Sequence, residues 1–536
     1  MRRWNGWGDE QTSYPLPDSA ADYLIELVGR GSLAPDAAFD QVLASVPATR
    51  LPPSLQVTID PSERLLHARG QSLPDWIALR SGRIGAFPDG VAYPGCDEDV
   101  LQLLEYTRQA KACLIPYGGG TSVVGHINPL TGDRPALTVD LSRINQLTNL
   151  DKTSCLATFG AGVRGPDLEN QLQAKGYTLG HFPQSFELST LGGWIATRSC
   201  GQQSYYYGRI EDLFAGGHIE TGVGPLDLPC LPASAAGPDI RQLILGSEGR
   251  LGIITRAVVR VRKLPDFEQF YGVFFPDWES GAAAVREIAQ ARAPVSMVRL
   301  SDAQETETTL VLSGKERLVG FANRSLSLLG YRLQRCLLVF GVTGDARRAA
   351  QGRRLTLSIT HRHNGLFTGA FIGKMWRKSR FLTPYLRNTL WTRGYAIDTL
   401  ETALPWCSVL PAAKAIKSAL QNALDQSSGS EGLSGGLVFA HLSHVYRDGA
   451  SIYTTFLFPR SADPAETLER WQAAKSAASQ VIVACHGTIS HQHGVGSDHA
   501  SYLSAEKGPV GVQALAAACR SLDPHGLLNP GKLIAP

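Results

Sequence analysis

None of the nine cysteines in this 536-residue chain falls in a C-x-x-C pair. Neither a zinc knuckle nor a disulfide framework is indicated, and a reducing compartment is expected. No run approaches the roughly 18 apolar residues that cross a bilayer. The opening MRRWNGWGDE carries two arginines with no apolar stretch behind them, which speaks against a secretory signal. Charge of one sign is scarce as well: 51 Lys and Arg against 48 Asp and Glu give +3, too little for a nucleic-acid footprint without a concentrated stripe. No fixed repeat period occurs, and no G-x-x-x-x-G-K-[ST], so solenoid and P-loop readings both fail. The expectation is a cytoplasmic protein with small-molecule partners and no nucleic acid.

What is present is a globular composition long enough for two to four domains at about 150 residues each. Residues 1–85 are punctuated by proline, with helical pattern at 20–28 and 37–44, and read as a helical leader packed on something larger. Over 86–265, short β-rich runs (113–116, 136–141, 156–159, 252–261) alternate with helical stretches (97–111, 166–175) and glycine loops. A mixed region at 266–480 opens with strand 270–275, helix 280–291 and strand 337–342. It continues with a cation-rich helical stretch at 374–393, a Gly/Ser loop at 425–436, and paired strands at 437–442 and 450–458. Helix 466–480, strand 481–485 and a closing segment to 536 complete the chain.

The strongest local signal is strand 113–116 running into Gly118, Gly119, Gly120, Thr121 and Ser122. Successive glycines let backbone N–H groups point into one concavity, as a pyrophosphate requires; the bland alternative is a strand-exit turn. Gly160-Ala161-Gly162-Val163-Arg164-Gly165 matches G-x-G-x-x-G with Glu187 about 20 residues on. Its preceding strand is short, and Pro166 would start a helix after any such turn, so a Rossmann unit is the weaker alternative. Two more glycine-and-hydroxyl loops lie at 189–199 and 245–254. Loops of this kind spread over 140 residues suit one long ligand such as FAD.

PYGGGTS, STLGGW, YGRIEDL and GSEGRLGIIT, in this order and spacing, resemble the FAD-binding domain of the vanillyl-alcohol oxidase (PCMH-type) flavoprotein superfamily. RWNGWG, ETALPW (401–406), SHQHGVG (490–496) and DPHGLLNPGKL narrow the resemblance to the alkyldihydroxyacetonephosphate synthase (alkylglycerone-phosphate synthase) branch, over nearly the whole chain. The resemblance implies an α+β fold: a two-subdomain PCMH-type FAD domain at 86–265, a mixed α/β substrate (cap) domain at 266–480, and a segment at 481–536 returning to the flavin. It implies non-covalent FAD, since the position after the glycines where other members carry a tethering histidine is Thr121 here. The implied flavin-lining segments are Pro116-Tyr117-Gly118-Gly119-Gly120-Thr121-Ser122, Gln184-Ser185-Phe186-Glu187-Leu188-Ser189-Thr190, Thr197-Arg198-Ser199-Cys200 and Glu248-Gly249-Arg250-Leu251-Gly252-Ile253-Ile254.

At the reacting end, the resemblance places an essential tyrosine at Tyr453, otherwise a packed aromatic. A phenol is a weak base at neutral pH and needs cationic or donor neighbours, which His491 and His493 supply. Two apart, they share one face of an extended segment. An H-x-H metal reading lacks a third ligand at a supporting spacing, so no metal is expected. The synthase branch has a third histidine where this chain has Gln492. Arg387 falls where the synthases place a substrate-binding arginine, and a planar guanidinium would clamp a phosphate or carboxylate. Arg299 matches a family arginine, read as structural through a partner such as Asp302.

The implied reaction exchanges the acyl group of an acyl-dihydroxyacetone phosphate for a fatty alcohol through a bond to flavin N5, without net redox change. The alternative is a flavin oxidoreductase of D-2-hydroxy acids such as D-lactate or glycolate. A lipid-phosphate or other small-molecule substrate, peripheral membrane contact through the basic and aromatic stretch 374–393, and a homodimer complete the expectations.

Overall fold

The computed structural model describes residues 2–312, 314, 316–426 and 435–534. In the expected FAD-binding region, strands Gly90–Ala92, Ala136–Asp140 and Cys113–Tyr117 run parallel, with Val57–Thr58 antiparallel at one edge. Every residue of Ala136–Asp140 is buried, as befits a parallel strand covered on both faces. The free edge of Cys113–Tyr117 is completed from the far end of the chain. Leu114 N–H donates to the Leu527 carbonyl and the Asn529 N–H donates to the Leu114 carbonyl, both at 2.8 Å.

A second, antiparallel sheet has the order Leu147–Asp151, Leu156–Gly160, Ile253–Arg260, Phe214–Thr221, Gly224–Leu228. Leu156–Gly160 has antiparallel neighbours on both sides. The G-x-G-x-x-G at 160–165 is therefore not part of a βαβ unit, and the Rossmann alternative is discarded. Its glycines serve packing: a Cβ on Gly162 would overlap the Leu141 carbonyl.

The third sheet has seven antiparallel strands, in the order Leu366–Phe367, Phe267–Phe275, Cys336–Gly344, Met297–Ser301, Leu437–Val445, Gly449–Pro459, Tyr395–Pro405. Alternation sends Val438, Ala440, Leu442, Ala450, Ile452, Phe456 and Phe458 into one continuous core. Helices Trp406–Gln426 and Pro464–Ala484 cover that face. The opposite face, with Tyr453, is left for the site.

Two element readings change. Residues 481–485 are not a strand: helix Pro464–Ala484 runs through Ala484, so the expected boundary at 480 lies inside it. Val481 and Val483 favour strands locally, but Trp471, Ala474, Ala478 and Ile482 form one buried helical stripe, and packing overrides propensity. The cation-rich stretch is two helices, Phe371–Ser379 and Thr383–Thr392, the second started by Pro384. Of the loop expected at 425–436, residues 427–434 lie outside the described residues. Among the described residues, no helix is long and apolar enough to cross a membrane.

The N-terminal RWNGWG is a structural latch. Asn388, 9% exposed, accepts from Trp7 N–H at 3.1 Å and donates to the Trp7 carbonyl at 3.0 Å. A Cβ on Gly6 would overlap the Asn388 amide, and one on Gly8 (φ +76°) the Tyr385 ring. Asn388→Ala leaves both Trp7 backbone groups unpaired, and is expected to lower stability by about 1–3 kcal/mol, read as a drop in the urea midpoint at unchanged slope.

Candidate functional site

Strand Cys113–Tyr117 delivers the glycine loop. The amides of Gly119, Gly120, Thr121 and Ser122 donate to no protein acceptor among the described residues, which leaves four successive N–H groups available to an anion. Only glycine permits the enclosure. A Cβ on Gly118 would overlap the Thr190 hydroxyl, one on Gly119 the Leu188 carbonyl, and one on Gly249 (φ +77°) would press on Pro116. The structure thus brings together the loops at 116–122, 184–190 and 248–254. Arg2 joins them, donating to the Tyr117 hydroxyl with its guanidinium 5.6 Å from that ring's centre. Unpaired amides, close-packed glycines and an adjacent cation fit the pyrophosphate of FAD.

Glu248 ties this cradle to the histidine segment. Its carboxylate, 1% exposed, accepts from the N–H groups of Val495 and Gly496, the latter at 2.8 Å, and lies 3.2 Å from His126 Nε2. Asn529 Nδ2 donates to the Glu248 carbonyl at 2.7 Å and to that of His126 at 3.1 Å.

The expected reacting end is a row across three strands. Glu401 pairs with Tyr453, and Tyr453 with His441, so their side chains share one face. His441 stacks on Tyr453 at 4.8 Å and 12°. The phenol donates to Thr399 Oγ1 at 3.2 Å, and the His493 ring meets it edge-on at 5.8 Å. A register shift between Leu442 and Val445 is a bulge, and it turns His444 onto the same face.

Residues 491–493 are bent rather than extended, so His491 and His493 do not share a face as expected. His491 Nδ1 lies 3.1 Å from Glu401 Oε1, close enough for an ion pair though not aligned as a hydrogen bond. Its Nε2 is 2.7 Å from the Tyr446 hydroxyl and 2.9 Å from Arg209 Nη1. His444 Nε2 is 4.0 Å from the same Glu401 oxygen, with Cys200 Sγ 3.1 Å from its Nδ1. Gln492 accepts from Cys200 N–H at 3.3 Å and donates to Glu401 Oε2 at 2.7 Å. It therefore bridges the segment expected to line the flavin to the acid. Donor atoms of Glu401, His444 and His491 lie within 4.8 Å of one another, a cluster drawn from three distant segments and not from the H-x-H pair. Arg209 already brings a positive charge to this cage, which works against a second cation there.

Burial pushes the Tyr453 phenol well above its usual range, and Glu401 and Asp398 add to this, against the Thr399 hydrogen bond and Arg387. The expected phenolate is thus not favoured; the side chain is held as a neutral donor. Burial takes His444 down to about 3 and the Cys200 thiol up to about 12, and lowers His493. Burial alone would raise Glu401; His491, His444 and His493 instead hold it well below the carboxylate range.

Arg387 donates to the Gln71 carbonyl at 2.7 Å and lies 4.4 Å from the Trp76 ring centre. Its Nη2 is buried without a partner, a half-used fork that suits an anion. Arg299 bonds Glu305 at 2.8 Å rather than Asp302, which pairs with Lys417. Several lining side chains point away. Arg198 bonds Leu245 and Gln242, and Arg250 bonds Leu528. Phe186 stacks on Phe381, and Leu251 and Ile253 are core.

Arg2, Arg209, Glu401, His441 and His444 carry no role in the motif reading. Counting back across the short 437–445/449–459 hairpin from Tyr453 reaches His441; nothing local in the sequence announces the bulge at His444.

Comparison with known proteins gives two family matches: "FAD binding domain" over residues 88–225 and "FAD linked oxidases, C-terminal domain" over 264–533. The chain is 29% identical to the alkyldihydroxyacetonephosphate synthase of Dictyostelium discoideum, covering 99% of this chain and 93% of that one. It is 30% identical to the synthase of that name from Caenorhabditis elegans, over 88% and 80%. A solved alkyldihydroxyacetonephosphate synthase superposes with TM-score 0.83 at 26% identity, covering 99% and 98%.

Gly119→Ala sets a Cβ on the Leu188 carbonyl, backbone against backbone. It is expected to destabilise the loop by about 1–3 kcal/mol and to yield protein with a depressed flavin-to-protein absorbance ratio. A second test concerns pH. Burial holds His181, His444 and His499 each near 3, below about 6.5 for an unfolded histidine, so on acidification the unfolded chain binds more protons. Asp498, raised by burial to about 6, opposes this below that pH. Stability is expected in full above about pH 6.5 and lost progressively toward pH 3; a thermal midpoint that rises on acidification would contradict this.

Proposed function

Since the chain belongs to the FAD linked oxidases, with an FAD binding domain ahead of the matched region, we propose that this FAD flavoenzyme exchanges the acyl group of an acyl-dihydroxyacetone phosphate for a fatty alcohol. The fatty acid leaves as the alkyl ether forms, so the cycle balances without an external oxidant. The observation that carries the reading is the pairing of a buried, half-used guanidinium, Arg387, with the Glu401–Tyr453–His441 row, together with the whole-length likeness to the synthases.

FAD would be held by the amides of the 118–122 loop, with Arg2 beside them, and enclosed by the loops at 184–190, 197–200 and 248–254. Bound there, it supplies an electron-accepting ring beside the reacting carbon. Arg387 clamps the substrate phosphate through its free nitrogen, with Trp76 stacked beneath the guanidinium. Tyr453 enters the cycle protonated, and so first gives a hydrogen bond or a proton at the reacting carbon's oxygen substituent. His493, at the ring edge, and His491, anchored on Glu401, complement charge as it develops. Gln492 spans Cys200 and Glu401 with one acceptor and one donor, a pairing that a neutral imidazole also offers. Peripheral lipid contact through 374–393, a cytoplasmic setting and a homodimer belong to the same reading.

A second reading, oxidation of a D-2-hydroxy acid, draws support from Gln492 in place of the synthase histidine; there Arg387 would hold a carboxylate. Supplied with acyl-dihydroxyacetone phosphate and a fatty alcohol, the purified flavoprotein is expected to form ether product, and D-lactate or glycolate to leave its visible absorbance unbleached. Bleaching without ether product reverses the choice. Arg387→Gln is expected to raise KM about 10- to 100-fold at unchanged flavin content, and Tyr453→Phe to lower kcat about 10²- to 10⁴-fold.

A further inference from the structure

His491 is addressed from both edges of its ring. Glu401 lies at Nδ1; at Nε2 are Tyr446 and Arg209, and these two also line a separate, open cavity of about 390 Å³. That volume is in the range of small-ligand pockets. Three more arginines reach it from separate elements: Arg292 beyond helix Trp278–Gln290, Arg348 in the first turn of helix Ala346–Arg362, and Arg447 in the turn after strand Leu437–Val445. Four arginines face two carboxylates here, Asp212 in the lining and Glu211, whose Oε1 lies 3.3 Å from Arg209 Nε, which leaves a local surplus of +2. Asp212 is committed, accepting from Arg209 N–H at 2.9 Å. Arg292, Arg348 and Arg447 are exposed, and none is ion-paired with a carboxylate among the described residues. Arg348 is steadied over the Tyr206 ring at 5.0 Å.

We infer that this cavity is a second anion site, built for the phosphate of a small phosphate monoester, and distinct from Arg387. Arg209 spends its donors on His491 and Tyr446, and its charge is paired with Glu211; the three guanidiniums without a carboxylate partner offer the paired N–H groups that grip phosphate oxygens. A phosphate monoester carries about −1.5 to −2 at neutral pH and answers nearly all of that surplus, whereas a single carboxylate leaves half of it unmet. A phosphate bound here competes with His491 for Arg209, so occupancy reaches the histidine without touching Tyr453. The inference stands on the cavity and does not depend on the proposed reaction.

The test is calorimetric titration of the FAD-loaded protein with glycerol 3-phosphate at low ionic strength. It compares wild type, the triple variant Arg292→Gln/Arg348→Gln/Arg447→Gln, and Arg387→Gln, with equal flavin content and thermal midpoint as the folding control. Wild type is expected to bind two equivalents, the triple variant one, and Arg387→Gln to keep the equivalent that the triple variant loses. D-lactate is expected to bind the cavity at least about tenfold more weakly, a gap of about 1.4 kcal/mol. A single wild-type equivalent that the triple variant loses and Arg387→Gln keeps still supports the cavity, and counts against Arg387 alone. The inference is overturned if the triple variant binds as wild type does, or if D-lactate matches glycerol 3-phosphate at the cavity. Binding to phosphatidic-acid vesicles without binding of glycerol 3-phosphate overturns it too, assigning the arginines to a membrane surface.

Discussion

The carboxylate of Glu401 is the interaction on which the site depends. It has no solvent exposure, and an ionised acid so placed is tolerable only when surrounding donors and positive charge replace water. Its partners come from every part of the molecule that meets there. Strand register sets it beside Tyr453, the bulged neighbouring strand sends His444, and the C-terminal segment sends His491 and Gln492. Through Gln492 and the Cys200 N–H it reaches the FAD-binding region itself. A neutral side chain at 401 would leave the imidazoles without a common anchor and would remove the charge that helps keep the Tyr453 phenol protonated.

Tyr453 consequently sits in a polarised setting. One flank carries Glu401 and its histidines, the stacked ring of His441 is held by Glu305 at 2.9 Å, and the charge of Arg387 pulls against burial. The same seven-stranded sheet that buries Ile452 and Phe456 toward its helices offers Ser451, Tyr453 and Thr455 to the other side. The two-residue period of a strand therefore separates structural from chemical positions within one segment.

Much of this was legible in the sequence because it rests on local rules. The glycine loop after 113–117 announces itself by conformational freedom, the hairpin around Tyr453 by alternation, and the helix after Pro464 by its cap. What stayed hidden depends on contacts distant in sequence. Val481–Val483 reads as a strand until Trp471 and Ile482 are seen on one buried stripe. Arg299 has an acid three residues away, yet bonds the one six away, because Lys417 claims Asp302. His444 reaches Glu401 through an irregularity that no residue pattern encodes, and Arg2 reaches the glycine loop across 115 positions.

The edge completed by Leu527 and Asn529 governs the order of assembly. During synthesis, everything up to Arg260 emerges while Leu114 still lacks the neighbour that caps its strand and Glu248 still lacks the amides of Val495 and Gly496. The nucleotide-binding half is thus unfinished on the ribosome until residues 495–529 have been made. Cut away from that segment, it would keep a bare strand edge at Leu114 and a buried acid at Glu248 without its two amides.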